Sequence, residues 1–467
     1  MSGKKCCYTA RESILKSSEA IRGFVTGLRR DIHKHAEVAW TEFRTGSRVA
    51  RDLLNLGWEV NYGPSLYEKS LMMGMPGSGE LERHAMRAIA QGGDKEIIDV
   101  MRGGYTGVVA RLKTGDGNGP TVAFRFDIDA NDLQEAHDEK HRPFREGFAS
   151  VNDNADHACG HDCHTSIGVA SAHVLYENRH LLPPGTIRLI FQTGEEGGRG
   201  GQPMAATGLA DEADYFMAIH MALGDVGGLG GIAAGASKMS NSVKSDVTFR
   251  GVSAHAGSRP EAGKNALLAA ANAAINLYAI TRHSEGNTRV NVGVLQAGVG
   301  RNVIPPDAFM KIEVRGETRG LMDFMQKRAE DIIEGAAKMY DVEYSMVKTG
   351  ETVSAPMDPE MVELVAETAR QIPEVKNVIM NRSMTGGGED CTFFMLRVQE
   401  RGGKATMANI GTNGPAVGHN SYYDVDEEAL VTGTKLVSLV ALNALGRGRV
   451  RDRSTGSSRA GEFLWPR

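Results

Sequence analysis

Cysteine is scarce in this chain, with five residues among 467, and the count is odd. So low a density excludes a small secreted domain held together by disulfides, and it favours a reducing compartment. The five residues are Cys6, Cys7, Cys159, Cys163 and Cys391. From cysteine usage we predict a cytoplasmic protein.

Long apolar runs are also absent. No segment reaches the roughly 18 uninterrupted apolar residues of a membrane span, and the nearest, ALLAAANAAINLYAI, contains two asparagines. The first residues, MSGKKCCYTARESILKSSEA, lack the apolar centre of a secretory signal. An excess of positive charge is missing as well, because the formal net charge is −5. These absences predict a soluble protein without a membrane or nucleic-acid partner.

The length of the chain indicates more than one domain, because a single hydrophobic core stops growing at roughly 250–300 residues. Strand-like segments alternate with helical ones in the first half, which favours an α/β fold with a mostly parallel sheet. A later stretch follows the order β-α-β-β-α-β of a ferredoxin-like unit. The predicted divisions are a larger domain over 12–238 and 350–445, an inserted domain over 239–349, and a disordered tail over 446–467.

Helical spacing of apolar residues predicts three prominent helices in the larger domain. The first covers 12–38 as one segment, and the second ends at Gly57, a residue type that favours helix ends. The third is a long helix near the end of the sequence, within 422–445.

Polar side chains follow or end three of the predicted strands. These strands are 121–130, 186–196 and 214–221. Their polar ends carry Asp127, Asp129, Glu195, Glu196 and His220. Because ligands of open α/β sheets bind at the carboxyl ends of strands, the three ends together predict one binding site.

The stretch HACGHDCH at 157–164 concentrates candidate metal ligands. Cys159 and His161 are two residues apart, so in a loop or extended backbone both can reach one ion. Thiolate and imidazole together suit zinc, manganese or cobalt. A zinc knuckle, a disulfide between Cys159 and Cys163, and a cysteine nucleophile paired with a distant histidine are alternatives that this stretch alone leaves open.

The adjacent Glu195 and Glu196 favour a metal site over these alternatives. Two neighbouring carboxylates after an apolar strand repel each other unless a cation neutralises them. One can then bind the metal while the other takes a proton from water. His220 and His419, the latter in the glycine-rich loop GPAVGHNSYYD, would each be structural if they stood alone. Their candidacy as ligands depends on the whole set.

Several motifs, in order from about residue 20 to 445, resemble one family. They are HACGHDCHTSIG, FQTGEEGGRGG, AIHM, GVSAHAGSRPEAGKNALLAAA and GRNVIP. The family is the aminoacylase, hippurate hydrolase and carboxypeptidase branch of the di-metal peptidases. The resemblance implies an α/β catalytic domain with an inserted ferredoxin-like domain that serves as a lid and in dimerisation.

The same resemblance implies roles for individual residues. The ligands of two divalent ions, Mn²⁺ or Zn²⁺, would be Cys159, His161, Glu196, His220 and His419. Glu195 would be the general base. His255 would reach into the active site of a partner subunit, and Asn302 and Arg315 would hold the substrate carboxylate. Cys163 would not be a ligand, and His33, Glu37 and His164 would have structural or supporting roles.

The reaction implied by the resemblance is metal-dependent hydrolysis of p-aminobenzoyl-glutamate to p-aminobenzoate and glutamate. The small-molecule substrate would be bound in a homodimer, or in a heterodimer with a related B subunit, through the lid. Two alternatives remain open. One is an N-acyl amino acid hydrolase of the hippurate or aminoacylase type. The other is a non-catalytic metal-binding subunit of a hetero-oligomer, although such a subunit would not need a free base beside its ligands.

Overall fold

A computed structural model describes residues 2–384 and 387–450 of the chain. The greater part of the predicted tail, 451–467, lies outside the described residues. The strands are β1 Glu59–Tyr62, β2 Val108–Thr114, β3 Thr121–Asp127, β4 Gly185–Gln192, β5 Tyr215–Leu223, β6 Gly231–Ala233, β7 Ala236–Ser237, β8 Asn241–Arg250, β9 Thr288–Ala297, β10 Asp307–Gly316, β11 Glu343–Thr352, β12 Asn377–Ile379, β13 Arg382–Ser383 and β14 Lys404–Thr412.

The α-helices precede β1, lie in several of the connections between strands, or follow β14. They are α1 Ser2–Ala20, α2 Arg22–Lys34, α3 Phe43–Leu56, α4 Ser78–Ala90, α5 Lys95–Met101, α6 Arg142–Arg145, α7 His161–Glu177, α8 Gly201–Ala206, α9 Ala266–Tyr278, α10 Arg319–Met339, α11 Pro359–Ala369, α12 Thr392–Glu400 and α13 Glu428–Arg447. The single helix predicted over 12–38 is two helices, which meet at Ile21. The helix that was expected to end at Gly57 does so, with that glycine at φ +92°.

The larger sheet has eight strands in the order β1-β2-β4-β3-β5-β14-β6-β12. Its four central strands, β4, β3, β5 and β14, are mutually parallel, which confirms the predicted α/β class with a mostly parallel sheet. Helices α7 and α13 pack against β3 and against each other. Since the central strands point the same way, their carboxyl ends meet at one edge, where loop residues can converge.

A smaller sheet has four strands in the order β11-β8-β10-β9, all antiparallel to their neighbours. With α9 and α10 it follows the β-α-β-β-α-β order of the sequence, and its final strand continues past residue 349 to Thr352. It has an apolar core of its own, which includes Val247, Met310 and Ile333. The alternate residues of β8 and β10 therefore face away from the helices.

Helix α13 is the one helix among the described residues with the length and apolar composition of a membrane span. About nine-tenths of its apolar window (89%) is buried against the rest of the chain. It is thus a core helix of the larger unit, packed on α1, α7 and α11.

Candidate metal centre

Polar side chains from four parallel strands converge at the carboxyl edge of the larger sheet. Asp127 is the last residue of β3, His220 lies near the end of β5, His161 is the first residue of α7, and the remaining groups are on loops that follow β3, β4 and β14. The residues that meet here are Asp127, Asp129, Cys159, His161, Glu195, Glu196, His220 and His419. The site residues predicted on the larger sheet are thus close together in space.

Asp129 orients the two adjacent glutamates. One of its carboxylate oxygens accepts the backbone N–H of Glu195 at 3.0 Å, and the other accepts that of Glu196 at 2.9 Å. A single buried carboxylate therefore binds two consecutive peptide groups and limits the conformations of the loop. Both glutamate side chains are directed into the same small volume, where their carboxyl groups flank His161.

The hydrogen bonds of His161 and His220 define which ring nitrogen is available. Nδ1 of His161 donates to the carbonyl oxygen of Asp129 at 2.9 Å, and Nδ1 of His220 donates to that of Met221 at 2.7 Å. In both rings Nε2 is then the nitrogen that is directed into the site. This is the usual arrangement of a metal-binding histidine, whose other nitrogen is held by a carbonyl or carboxylate.

Several donor atoms in the site are buried without a hydrogen-bond partner among the described residues. They include Nε2 of His161 and Oε1 of Glu196, which are 4.0 Å apart. Nε2 of His419 lies 3.5 Å from the same Glu196 oxygen, and Sγ of Cys159 lies 3.5 Å from Nε2 of His220. Ligands bound to one ion at about 2.0–2.3 Å are separated by roughly 3–4 Å, so these spacings fit divalent cations.

The candidate ligands form overlapping groups. Cys159, His161 and His220 make one, and Cys159, Glu196 and His419 make another, with donor atoms within 4.8 Å of one another in each. Cys159 belongs to both groups. The donor set of thiolate, imidazole and carboxylate is one that first-row divalent metals accept.

The electrostatics of the site also indicate missing positive charge. Burial, followed by the charges of Glu389 and Glu196, raises the pKa of Glu195 well above its usual value. Burial likewise raises the pKa of the Cys159 thiol to about 12. Burial and the neighbouring His164 keep the pKa of His220 well below its usual value, so this ring is neutral. A bound cation would favour the ionised forms of Glu195 and Cys159.

Sequence reasoning missed the guanidinium beneath this site. Arg125 is fully buried in β3, where it donates to Asp127 at 2.6 Å and to Asp390 at 2.9 Å. It also lies 3.4 Å from Glu389, whose other oxygen is 3.8 Å from Nε2 of His220. The available signal was a lone arginine inside the otherwise apolar strand TVAFRFD, since a charge buried in a central strand requires carboxylate partners.

Other histidines and thiols near the site are already engaged. His164 donates from Nδ1 to Asp127 and accepts the backbone N–H of Met221 on Nε2, so neither nitrogen is available. His33 is bound at both nitrogens, by Asp162 and Glu135. Cys163 is buried in the apolar core, and both it and Cys159 are free thiols. The Cys159–Cys163 disulfide that the sequence left open is absent among the described residues.

A cavity of about 460 Å³ lies between the metal centre and the smaller sheet. Glu195, Glu196, His220 and His419 line one side, and Arg315 from β10 lines the other. His255 and Asn302 are not part of this lining. Both are exposed on loops of the smaller unit that hydrogen-bond to each other through their backbones. Of the three predicted substrate contacts, the chain thus brings only Arg315 to its own cavity.

Comparison with known proteins places these motifs in a family. Residues 123–443, which include the whole metal centre, match the model of peptidase family M20/M25/M40. The chain belongs to this family. The M20 match includes the cysteine-histidine motif and the two glutamates, together with the smaller sheet that follows them along the chain.

Three M20 relatives are similar over nearly their whole length. Indole-3-acetyl-aspartic acid hydrolase of Enterobacter agglomerans is 44% identical over 90% of this chain and 95% of that protein. One of the subunits of p-aminobenzoyl-glutamate hydrolase from Escherichia coli (strain K12) is 42% identical over 91% and 98%. The crystal structure of an aminobenzoyl-glutamate utilization protein from Klebsiella pneumoniae has a TM-score of 0.79 at 38% identity, covering 92% and 97%.

Proposed function

We propose that the chain is a metal-dependent amidohydrolase that hydrolyses the amide bond between an aromatic acid and an acidic amino acid. p-Aminobenzoyl-glutamate is the first substrate to test, and indole-3-acetyl-aspartate is the second. Two relatives above 40% identity are named for these compounds, both of which link an aromatic acyl group to a dicarboxylic amino acid. The observation that supports hydrolysis rather than metal binding alone is the pair Glu195 and Glu196, aligned by Asp129.

The proposed ligands of two divalent ions are Cys159, His161, Glu196, His220 and His419. The carboxylate oxygens favour Mn²⁺, whereas the thiolate and imidazoles favour Zn²⁺. Such ions would lower the pKa of water and polarise the amide carbonyl. The reducing cytoplasm is the proposed compartment, because it would keep Cys159 from oxidation.

Glu195 is the proposed general base. It would take a proton from the attacking water and deliver it to the nitrogen of the departing amino acid, which balances the hydrolysis without another acid. Its position beside His161, at 3.9 Å between Oε2 and Nε2, leaves the carboxyl group directed at the same volume as the ligand atoms. Arg315 would bind the α-carboxylate of the substrate and so orient the amide. Asn302, which lies beside the His255 loop and outside the cavity of its own chain, would join it from a partner subunit.

His255 is proposed to act in the active site of a partner subunit, with residues 239–349 as the lid and dimerisation unit. Its Nδ1 accepts two backbone N–H groups, from Gly257 and Ser258 at 3.1 Å, so a proton on Nε2 can be donated outward. The partner would be a second copy or a related B subunit. Mixing the Glu195→Gln and His255→Ala variants tests this. Each hybrid dimer would have one intact active site of two, and random exchange would make about half of the dimers hybrid. The mixture as a whole would therefore regain up to about a quarter of wild-type activity. No recovery from the mixture would mean that His255 acts within its own chain or not at all.

The function itself is tested by hydrolysis assays on the full chain loaded with Mn²⁺ or Zn²⁺. Release of the aromatic acid from p-aminobenzoyl-glutamate, indole-3-acetyl-aspartate and hippurate is measured by chromatography, with the Glu195→Gln variant as the background. The proposal expects the two acidic conjugates to be hydrolysed faster than hippurate. Hippurate as the best substrate would favour a general N-acyl amino acid hydrolase, and rates at background on all three would favour a non-catalytic subunit.

A further inference from the structure

Three basic side chains line the cavity between the metal centre and the smaller sheet. They are Lys244 on β8, Arg315 on β10 and Arg382 on β13. Lys244 lies on the face of β8 that points away from the helices, because Val243 and Val247 occupy the opposite face in the apolar core. The lysine is therefore directed toward the same space as Glu195 and His220.

Two of these three cations already have carboxylate partners. Arg315 donates from Nε and Nη2 to the two oxygens of Glu313, at 2.8 and 3.0 Å. Arg382 donates to Asp225 at 2.8 Å and to Asn409 at 2.9 Å. For Lys244, no ion pair or hydrogen bond of the ammonium group exists among residues 2–384 and 387–450. Of the three cations that line the cavity, Lys244 is therefore the one whose charge no direct contact balances in that part of the chain.

The register of the smaller sheet explains why Lys244 is left without a partner. Glu313 lies directly opposite it on β10, but both oxygens of that carboxylate are taken by Arg315. On its other side Lys244 lies opposite Gly350 of β11, which offers no side chain. A carboxylate that enters the cavity can therefore reach the ammonium group without displacing an existing ion pair.

Gly350 also connects this strand to the loop that carries the glutamates. A Cβ at position 350 would lie 1.9 Å from the carbonyl oxygen of Gly197, so the backbones touch there. The N–H of Glu351 donates to the carbonyl oxygen of Gly198 at 2.8 Å. Because β8 is the neighbour of β11, Lys244 is held at a defined place relative to the loop of Glu195 and Glu196.

We propose that Lys244 forms a subsite for the side-chain carboxylate of an acidic amino acid in the substrate, with Arg315 left for the α-carboxylate. This rests on the proposed function and extends it to selectivity. A substrate with two carboxylates needs two cationic partners in a cavity that Glu195, Glu196 and Glu389 also line. A neutral side chain in the substrate would leave the ammonium group unpaired, which disfavours neutral amino acids.

The test compares p-aminobenzoyl-glutamate with p-aminobenzoyl-glutamine, which has the same shape but a neutral side chain. Lys244→Gln should lower kcat/KM for the glutamate compound by about 10-fold or more, mainly through KM, and change the glutamine compound little. Lys244→Arg should retain most of the preference. Lys338→Gln is the control, because this exposed lysine on α10 pairs with Glu334 and lies outside the cavity linings; it should leave the ratio unchanged.

Binding measured on the Glu195→Gln variant separates this proposal from the proposed function. Calorimetry on the metal-loaded protein gives the Kd of both compounds whether or not the wild type hydrolyses them. A glutamate preference that Lys244→Gln removes supports the subsite, even if hydrolysis fails. An unchanged ratio after Lys244→Gln, or an equal loss for both compounds, would overturn it.

Discussion

The carboxyl edge of the larger sheet and the cavity face of the smaller sheet are both rich in charge, but they balance it differently. At the first, one guanidinium, that of Arg125, lies among six carboxyl groups. These are Asp127, Asp129, Glu195, Glu196, Glu389 and Asp390. At the second, Glu313 and Arg315 form an ion pair that is partly open to solvent.

This contrast separates the charges that indicate function from those that do not. Buried carboxyl groups in excess of cations are costly unless they are protonated or bind a cation. Burial and the charge of Glu389 accordingly raise the pKa of Asp390 to about 7, against the lowering effect of Arg125. Exposed pairs that balance one to one contribute little and indicate little. On the smaller sheet the informative residue is Lys244, a cation that has no partner among the described residues.

The largest effect is expected from replacing Arg125, the buried cation at the carboxyl edge of the larger sheet. Arg125→Met should lower the free energy of unfolding by about 3–5 kcal/mol, because the carboxyl groups around it lose their charge partner. Urea denaturation of the purified variant measures this. Lys327→Met, which removes an exposed pair with Asp331, is the control and should cost less than about 1 kcal/mol. Equal losses in the two variants would contradict the distinction between the regions.

Glu195→Gln should lower kcat by about 100-fold or more while the metal content of the protein stays the same. The amide keeps the size of the side chain but cannot take a proton from water. Turnover assays combined with elemental analysis of the same sample check both halves of this expectation. A fully active variant would rule out Glu195 as the base, and a variant that loses metal would make it a ligand.

Cys159→Ala should weaken metal binding by about 10-fold or more, since this thiol is near both groups of ligand atoms. Titration with a competing chelator gives the affinity. Cys163→Ala is the matched control four residues away, because that side chain lies in the apolar core; its metal affinity should equal that of the wild type. If the two alanine variants bind metal alike, Cys159 is not a ligand.

Asp156→Asn should give a gain in stability that grows with pH and vanishes at low pH. Both oxygens of Asp156 are buried without a partner among the described residues, and burial raises the pKa of this carboxyl to about 8. The folded state then binds a proton more tightly than the unfolded state. Wild-type stability falls, relative to the variant, as the pH rises from about 4 to about 8.

The difference between the two proteins should be largest near pH 8 and approach zero at low pH, where the carboxyl is protonated in both states. Urea titrations of both proteins at several pH values measure it. A constant difference would show that the charge of Asp156 is not the cause. The measurement also extends the contrast above, because Asp156 is a buried carboxyl behind the metal centre rather than in it.

Much of the fold followed from local patterns. Period-two apolar residues identified β3, apolar segments indicated β4 and β5, and the β-α-β-β-α-β order of the smaller unit agrees with its strand order. The break at Ile21 was not predictable, because the helical spacing of apolar residues continues across it. Arg125 was missed for a different reason: its partner Asp390 is 265 residues away along the chain.

The amino-acid sequence alone specified the chemistry available: one thiol beside an imidazole in HACGH, two adjacent carboxylates in TGEE, and strands that end where these motifs begin. Which of these groups can act depends on the tertiary structure. His161 and His164 are three residues apart on one helix, yet one has a free Nε2 and the other is bound at both nitrogens. The physical reason is that the hydrogen-bond partners of both rings come from other strands or loops, and no local pattern records those neighbours.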